Sequence, residues 1–312
     1  MESWELVIIG GGPAGLTAGI YGARSGLETL IVEEKVVGGS VAESPLIENY
    51  PGFPEGVRGS ELIRRMRKQC ERFGVEIREL ERALRVKVNG DERVVETERS
   101  SYGAEAVIIA SGSRHRTLNV PGERRLLGLG VSYCALCDGA FFKGRRVLVV
   151  GGGNTAAVSA LYLADLASET FLVHRRNQLR AEGIYIDQMR GKGVKLILNS
   201  EVKEIRGESR VEGVVILDKG TGELRELNVD GVFIAVGEVP NSDVARESGI
   251  ELDDEGYIIV DRRQRTNIPG VYAAGDVTNS PVKQVGTAVG QAIVAAVEAY
   301  GYVRRPYYYR NF

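Results

Sequence analysis

Apolar residues in this chain come in short unbroken runs that stop at glycine. Glu5-Leu6-Val7-Ile8-Ile9 runs into Gly10. A run with no polar alternation predicts a strand buried on both faces, as in a parallel sheet. The same pattern recurs at residues 106–110 before Ser111-Gly112, at 146–150 before Gly151, and at 231–236 before Gly237. Between these runs the period changes. Residues 14–25 predict a helix, residues 29–32 a second strand, and residues 61–73 a helix with Ile63, Met66, Cys70 and Phe73 on one face. Ser60 is expected to cap that helix and Gly74 to end it. Asn89-Gly90 predicts a hairpin turn, and 219–222 a turn within a β-meander. A short strand ending at Gly275-Asp276 and a helix over residues 284–300 close the pattern.

The repetition carries the first chemical information. Gly10, Gly12 and Gly15 form a G-x-G-x-x-G fingerprint between a strand and a helix. Gly10 allows the tight turn, Gly12 lets backbone approach a pyrophosphate, and Gly15 lets helix and strand pack closely. The second strand ends at Glu33, about 18 residues on, where a ribose hydroxyl needs an acceptor. Gly151, Gly153 and Ala156 repeat the fingerprint, and a helix to about residue 167 and a strand over 170–173 follow. At the position of Glu33 the second copy has His174-Arg175-Arg176, with Arg180 four residues further on. A basic cluster there accommodates a 2′-phosphate, which predicts NADPH as the second nucleotide. Asp276, at a strand end, could bond a polyol, and the helix behind it could stabilise an anion such as a reduced flavin.

Composition narrows the class without changing it. The chain has 312 residues, 43% hydrophobic and 26% charged, with net charge −2, which suits two globular domains and gives no reason to expect nucleic acid or a membrane as partner. No apolar run reaches the roughly 20 residues of a membrane helix, and the N-terminal run reads as a strand and not as a signal peptide, so a cytoplasmic protein is expected.

Three cysteines are too few for a disulfide scaffold. Cys70 lies on an apolar stripe and is expected to be a buried structural thiol. Cys134 and Cys137 form a C-x-x-C pair followed by Asp138. A zinc site would need about four ligands, and only Cys70, His115 and His174 remain to supply them. A purely structural disulfide closing so short a loop would stabilise little. The spacing favours a redox dithiol, in which one thiolate attacks and the other resolves, with Asp138 as proton donor or acceptor. No metal is expected. The loops 38–40 and 48–53 lack periodicity and are expected to be functional.

Together these motifs, with Glu48-Asn49-Tyr50-Pro51-Gly52 and Gly275-Asp276, resemble the low-molecular-weight thioredoxin reductases over nearly the whole chain. The resemblance implies an α/β fold of two Rossmann-like, three-layer ββα domains, the second inserted in the first. Residues 1–112 and 241–312 would bind FAD, and 113–240 would bind NADPH and carry the redox pair. It implies FAD contacts from Gly10, Gly12, Pro13, Ala14, Gly15, Glu33, Gly39, Ser40, Asn49, Ala110, Asp276, Lys283 and Gln284. NADPH contacts would come from Gly151, Gly153, Asn154, Thr155, His174, Arg175, Arg176 and Arg180. By family pattern Cys137 lies nearer the flavin, Cys134 attacks thioredoxin, Asp138 is the acid–base residue, the inserted domain rotates, and the assembly is a homodimer. Ser40 stands where a Gln is common, Asn154-Thr155 for Asp-Ser, Glu238 for a His and Lys283 for an Arg. Residues 38–52 look closer to archaeal relatives. The same flavin-disulfide chemistry could instead take electrons from a reduced deazaflavin or ferredoxin, or pass them to a glutaredoxin-like protein.

Overall fold

The computed structural model describes residues 1–44, 46–90 and 92–304. Two compact units emerge, residues 1–114 with 239–312, and residues 115–238. The Tyr-rich tail at 307–309 lies outside the described residues.

The first unit begins with β1 (Glu2–Ile9), α1 (Pro13–Arg24), β2 (Thr29–Val32), α2 (Gly59–Arg72) and β3 (Glu76–Arg78). Next come β4 (Ala83–Asn89), β5 (Glu92–Thr97), β6 (Ser101–Ile109) and the connecting strand β7 (Ser113–His115). The second unit holds β8 (Val131–Ser132), α3 (Ala135–Asp138), β9 (Arg146–Gly151), α4 (Asn154–Ala164), β10 (Glu169–Val173), α5 (Gly183–Gly191) and β11 (Lys195–Ile197). The antiparallel strands β12 (Ser200–Arg206), β13 (Gly213–Asp218) and β14 (Leu224–Leu227) and the closing strand β15 (Gly231–Ala235) complete it. The chain returns through β16 (Glu238–Pro240), α6 (Asp243–Glu247), β17 (Val271–Ala273) and α7 (Val285–Arg304).

Each unit is built on one plan. In the first, β3-β2-β1-β6 are parallel neighbours. Strand β6 divides its edge: residues 101–104 pair antiparallel with β5, and residues 107–109 pair parallel with β17. In the second, β11-β10-β9-β15-β8 form a parallel sheet, and β12-β13-β14 form a separate antiparallel one. Strand β8 therefore sits beside β15 as β17 sits beside β6.

Burial on both faces explains the unbroken apolar runs. In β1, Leu6 and Ile8 pack with residues of α1, α2 and α7, while Val7 and Ile9 pack with residues of β4, β5 and α6. In β9, Leu148 and Val150 face the meander residues Val202, Val214 and Ile216, whereas Val147 and Val149 face Ala156, Ala160 and Leu163 of α4. Each Val, Leu or Ile among them contributes roughly 1.5–3 kcal/mol when removed from water.

Three local expectations need correction. Ser60 does not cap α2; the helix starts at Gly59, with Arg58 as N-cap and no side-chain cap bond. The reason is tertiary: a Cβ on Gly59 would lie 1.8 Å from Val41 O, and Gly59 N donates to Ser44 O, so glycine and loop together fix the entry. Helix α4 stops at Ala164, where Asp165 N and Leu166 N bond three residues back, tightening the last turn. The hairpin register pairs Asn89 with Glu92, so the two-residue turn starts at Gly90, which has φ +62°. Its second residue, Asp91, lies outside the described residues.

Candidate functional site

Both fingerprints are shaped to leave a space clear. Gly10 has φ +109°, and a Cβ there would lie 2.4 Å from Ala110 O. Ala110 thus backs the turn, its own N–H donating to Ile9 O at 2.7 Å. A Cβ on Gly15 would lie 1.8 Å from Gly10 O, so the start of α1 closes on the loop as only glycine permits. At Gly12 a Cβ would meet only Gly39 Cα, at 3.9 Å, and at Gly153 nothing within 4 Å. Gly12 and Gly153 are the N-caps of α1 and α4, and neither helix has a side-chain cap bond. The first N–H groups of both helices therefore face space that an anion can fill.

Around the first loop, Glu33 accepts from Gly11 N at 2.6 Å and from Lys35 N at 2.8 Å. The carboxylate lies against the glycine loop. Pro13 occupies the first turn of α1, and Ala14 meets Gly275, where a Cβ would lie 3.0 Å from the Ala14 methyl. Gly275 N donates to Gln291 Oε1 at 2.7 Å, and half-buried Asp276 follows at the end of β17. Asn49 Nδ2 donates to Gln284 Oε1 at 3.0 Å, joining the 48–53 loop to the start of α7. Gly39 and Ser40 sit exposed in a short 3-10 turn. Lys283 is engaged elsewhere: its ammonium donates to Thr278 O and lies 4.0 Å from the Tyr257 ring centroid.

Around the second loop the arginines and His174 part company. Arg175, Arg176 and Arg180 are exposed, and among the described residues no carboxylate pairs with them. Arg180 N donates to Gly152 O at 2.7 Å, which holds that arginine's backbone on the glycine loop. His174 is 7% exposed, with its ring against Gly152, where a Cβ would lie 2.2 Å from Nδ1. Burial pushes its pKa down, and the positive field of Arg180, Arg176 and Arg175 acts in the same direction. Its Nε2 has no hydrogen-bond partner among the described residues. His174 thus supports the loop from beneath as a neutral ring. Asn154 is tied to Glu182 by two hydrogen bonds, at 2.7 and 2.9 Å, while Thr155 is exposed.

The cysteine pair lies at the end of edge strand β8, on the carboxyl side of the parallel sheet, where open α/β sheets bind ligands. Cys134 and Cys137 are joined as a disulfide with Cα atoms 5.3 Å apart. Cys134 is the N-cap of α3, and its Sγ accepts from Cys137 N at 3.2 Å. Asp138 ends the same helix turn, half-buried, with Oδ2 bonded by Ser132 Oγ at 2.6 Å. Burial raises its pKa, and the Ser132 hydrogen bond partly offsets the rise. Leu136, between the cysteines, is 59% exposed, so the pair stands at an accessible surface of its unit.

Cys70 is apart from this chemistry. It is fully buried, its thiol donates to Leu16 O at 3.2 Å, and burial pushes its pKa up to about 12. Cys70→Ala should cost about 1 kcal/mol of stability in a denaturant melt and leave turnover unchanged. A changed turnover in a well-folded variant would give Cys70 a role this geometry denies it.

Three residues here had no sequence signal. Ser132 bonds Asp138 and Cys134, Gln291 holds the Gly275 backbone, and Thr287 Oγ1 accepts from Gln284 N at 3.1 Å to cap α7. Only the helix periodicity that places Thr287 in the first turn of α7 could have suggested any of them.

Comparison with known proteins gives concordant results. A family model described as pyridine nucleotide-disulphide oxidoreductase matches residues 4–292. The chain is 40% identical over 300 residues to the 34.2 kDa protein in rubredoxin operon of Clostridium pasteurianum, covering 96% of this chain and 97% of that one. To the thioredoxin reductase of Bacillus subtilis it is 42% identical over 305 residues, covering 96% and 95%. Among solved structures, the thioredoxin reductase of Streptococcus pyogenes superposes with a TM-score of 0.93 at 42% identity, covering 97% of this chain and 99% of that one.

Proposed function

This chain belongs to the pyridine nucleotide-disulphide oxidoreductase family, and we propose that it is a thioredoxin reductase that carries electrons from NADPH through FAD and the Cys134–Cys137 disulfide to thioredoxin. The observation that carries the reading is a disulfide on the ligand-binding edge of a sheet that also bears a nucleotide fingerprint. Among the described residues no helix is long and apolar enough to cross a membrane.

The first unit suits FAD. Gly12 leaves room for a pyrophosphate, the uncapped start of α1 supplies N–H donors, and Glu33 stands beside the loop to accept from a ribose. Asp276 and the N-terminal end of α7 would serve the rest of the cofactor, with Asn49 and Gln284 bonded to each other nearby. The second unit suits NADPH, with Gly153 open to the pyrophosphate and Arg175, Arg176 and Arg180 available to a 2′-phosphate. FAD, when bound, supplies hydride acceptance and two-electron delivery to a disulfide. The chain's own part is the dithiol. Cys134 attacks the acceptor disulfide, Cys137 resolves the mixed disulfide, and Asp138 moves the proton. A homodimer working in the cytoplasm belongs to the same proposal.

A matrix of donors and acceptors on the purified protein tests it. NADPH with thioredoxin should give the highest kcat/KM among NADPH, NADH, reduced deazaflavin and reduced ferredoxin, each paired with thioredoxin and a glutaredoxin-like protein. No thioredoxin turnover with any donor would sink the reading. Faster turnover with deazaflavin or ferredoxin would replace the donor alone.

A further inference from the structure

Ser132, two residues before the redox pair, makes contacts that its sequence position does not explain. It is 4% exposed. Its Oγ accepts from Cys134 N at 3.0 Å, lies 2.6 Å from Asp138 Oδ2 and lies 3.2 Å from Cys134 O. A hydroxyl has one proton to donate and two lone pairs. With the Cys134 N–H on one lone pair, that proton can go to the carboxylate or to the carbonyl, but not to both.

We propose that Ser132 is a positioning residue for thiol–disulfide exchange, whose hydroxyl holds Asp138 as an oriented carboxylate and reverses its hydrogen bond when that carboxylate takes a proton. The proposal rests on the acid–base reading of Asp138. When the Cys134 thiol attacks an acceptor disulfide, its proton passes to Asp138. A bond forms between Cys134 and one acceptor sulfur, and the other acceptor sulfur leaves as a thiolate. Protonated Asp138 then donates to Ser132 Oγ, and Ser132 turns its proton to Cys134 O. All three capacities of the hydroxyl are filled in this state. Cys137 next attacks the Cys134 sulfur, the mixed disulfide breaks, and the second acceptor thiolate leaves. Cys137 loses its proton to water as it attacks, and Asp138 gives its proton to water and recovers its carboxylate, so two thiols have become one disulfide, the acceptor has gained two electrons and two protons have been released.

The surroundings leave Ser132 as the polar control on Asp138. Burial opposes its charge, the Ser132 hydrogen bond favours it, and among the described residues no charged side chain adds to either. Tyr133 turns away, its hydroxyl donating to Glu123 Oε1 at 2.8 Å and its ring stacking on His115 with centroids 4.9 Å apart. From α4, the titratable group at this segment is Tyr162, whose ring packs against Gly139. Residues 231–235 of β15, alongside β8, carry no titratable side chain.

The test uses the holoprotein reduced with dithiothreitol, freed of it, and mixed with an aromatic disulfide that releases a coloured thiolate. Rates are followed by stopped flow across the acid and neutral pH range. In the wild type the rate should climb with pH as Asp138 ionises. Ser132→Ala removes the bond that favours the carboxylate, so this limb should move up by about one pH unit. Ser132→Thr, which keeps the hydroxyl, should restore it. Asp138→Asn should lose the limb, and adding Ser132→Ala to that variant should change nothing further. Ser132→Gly replaces the alanine variant if the latter does not fold, as judged by flavin absorbance. An unmoved limb in Ser132→Ala overturns the proposal, as does a shift that persists beside Asp138→Asn. A limb that survives Asp138→Asn overturns it together with the acid–base reading of Asp138. Because the assay needs neither NADPH nor thioredoxin, a failure of the proposed overall reaction would show separately, in the donor and acceptor matrix.

Discussion

Cys134→Ser is expected to lower thioredoxin reduction by ~10³-fold or more while NADPH still bleaches the flavin at close to the wild-type rate. The substitution is well matched to the local fold. Cys134 caps α3 and accepts from Cys137 N, and serine is among the residues best suited to an N-cap. The turn should therefore persist, and the loss should be chemical. A serine hydroxyl cannot form the disulfide seen here or act as a thiolate at neutral pH, so no attacking group remains for the partner. Both fingerprints lie outside the altered turn in the chain, and the side chain of Ala135 that packs in one cluster with Ala156 is unchanged. Stopped-flow bleaching and steady-state thioredoxin turnover on the same preparation separate the two half-reactions. Equal turnover in the variant would remove the dithiol from the pathway and with it the proposed function.

Features of this fold decided by near neighbours in the chain are legible in the sequence, and those decided by distant partners are not. Strand β2 has the bounds its apolar run predicts, and β1 and β9 end at the glycines expected, because burial on both faces and a turn are encoded within a few residues. The repeat was legible for the same reason. What the sequence could not reveal depends on partners far along the chain. Ser60 looks like a cap, yet Gly59 is fixed by Val41 O and Ser44 O across a loop. Lys283 sits in sequence between Asp276 and α7, yet Tyr257 and Thr278 hold its ammonium. His174 reads as one of three basic residues in a row, but the burial of β10 continues through it and sets its ring beneath Gly152, while the chain beyond leaves the arginines exposed. Ser132 is invisible for a related reason: its two partners are close in sequence, but only the turn of α3 brings Asp138 back over it.

That division between His174 and its neighbours sharpens the second large effect. Arg175→Ala with Arg176→Ala should raise the KM for NADPH by about 10²–10³-fold and the KM for NADH by less than about 3-fold. Each arginine that reaches a phosphate makes charge-assisted hydrogen bonds worth roughly 1.5–3 kcal/mol, and NADH offers no 2′-phosphate to receive them. Both side chains are exposed, and among the described residues neither has an ion-pair partner whose release would disturb the fold. Removing them also relieves the positive field on His174, so its depressed pKa should rise somewhat, while burial keeps it below the ordinary value. The ring should stay neutral near pH 7 and continue to support Gly152. The specificity change should thus come without loss of the loop, and His174→Ala should behave differently by weakening both nucleotides together, since it leaves a gap beneath the glycine turn they share. Higher ionic strength should narrow the gap between NADPH and NADH in the wild type and hardly alter it in the double variant, because exposed charges are screened. Initial rates with the two nucleotides at low and high salt check all of this. An equal loss for NADPH and NADH in the arginine variant would show that the cluster does not recognise a 2′-phosphate.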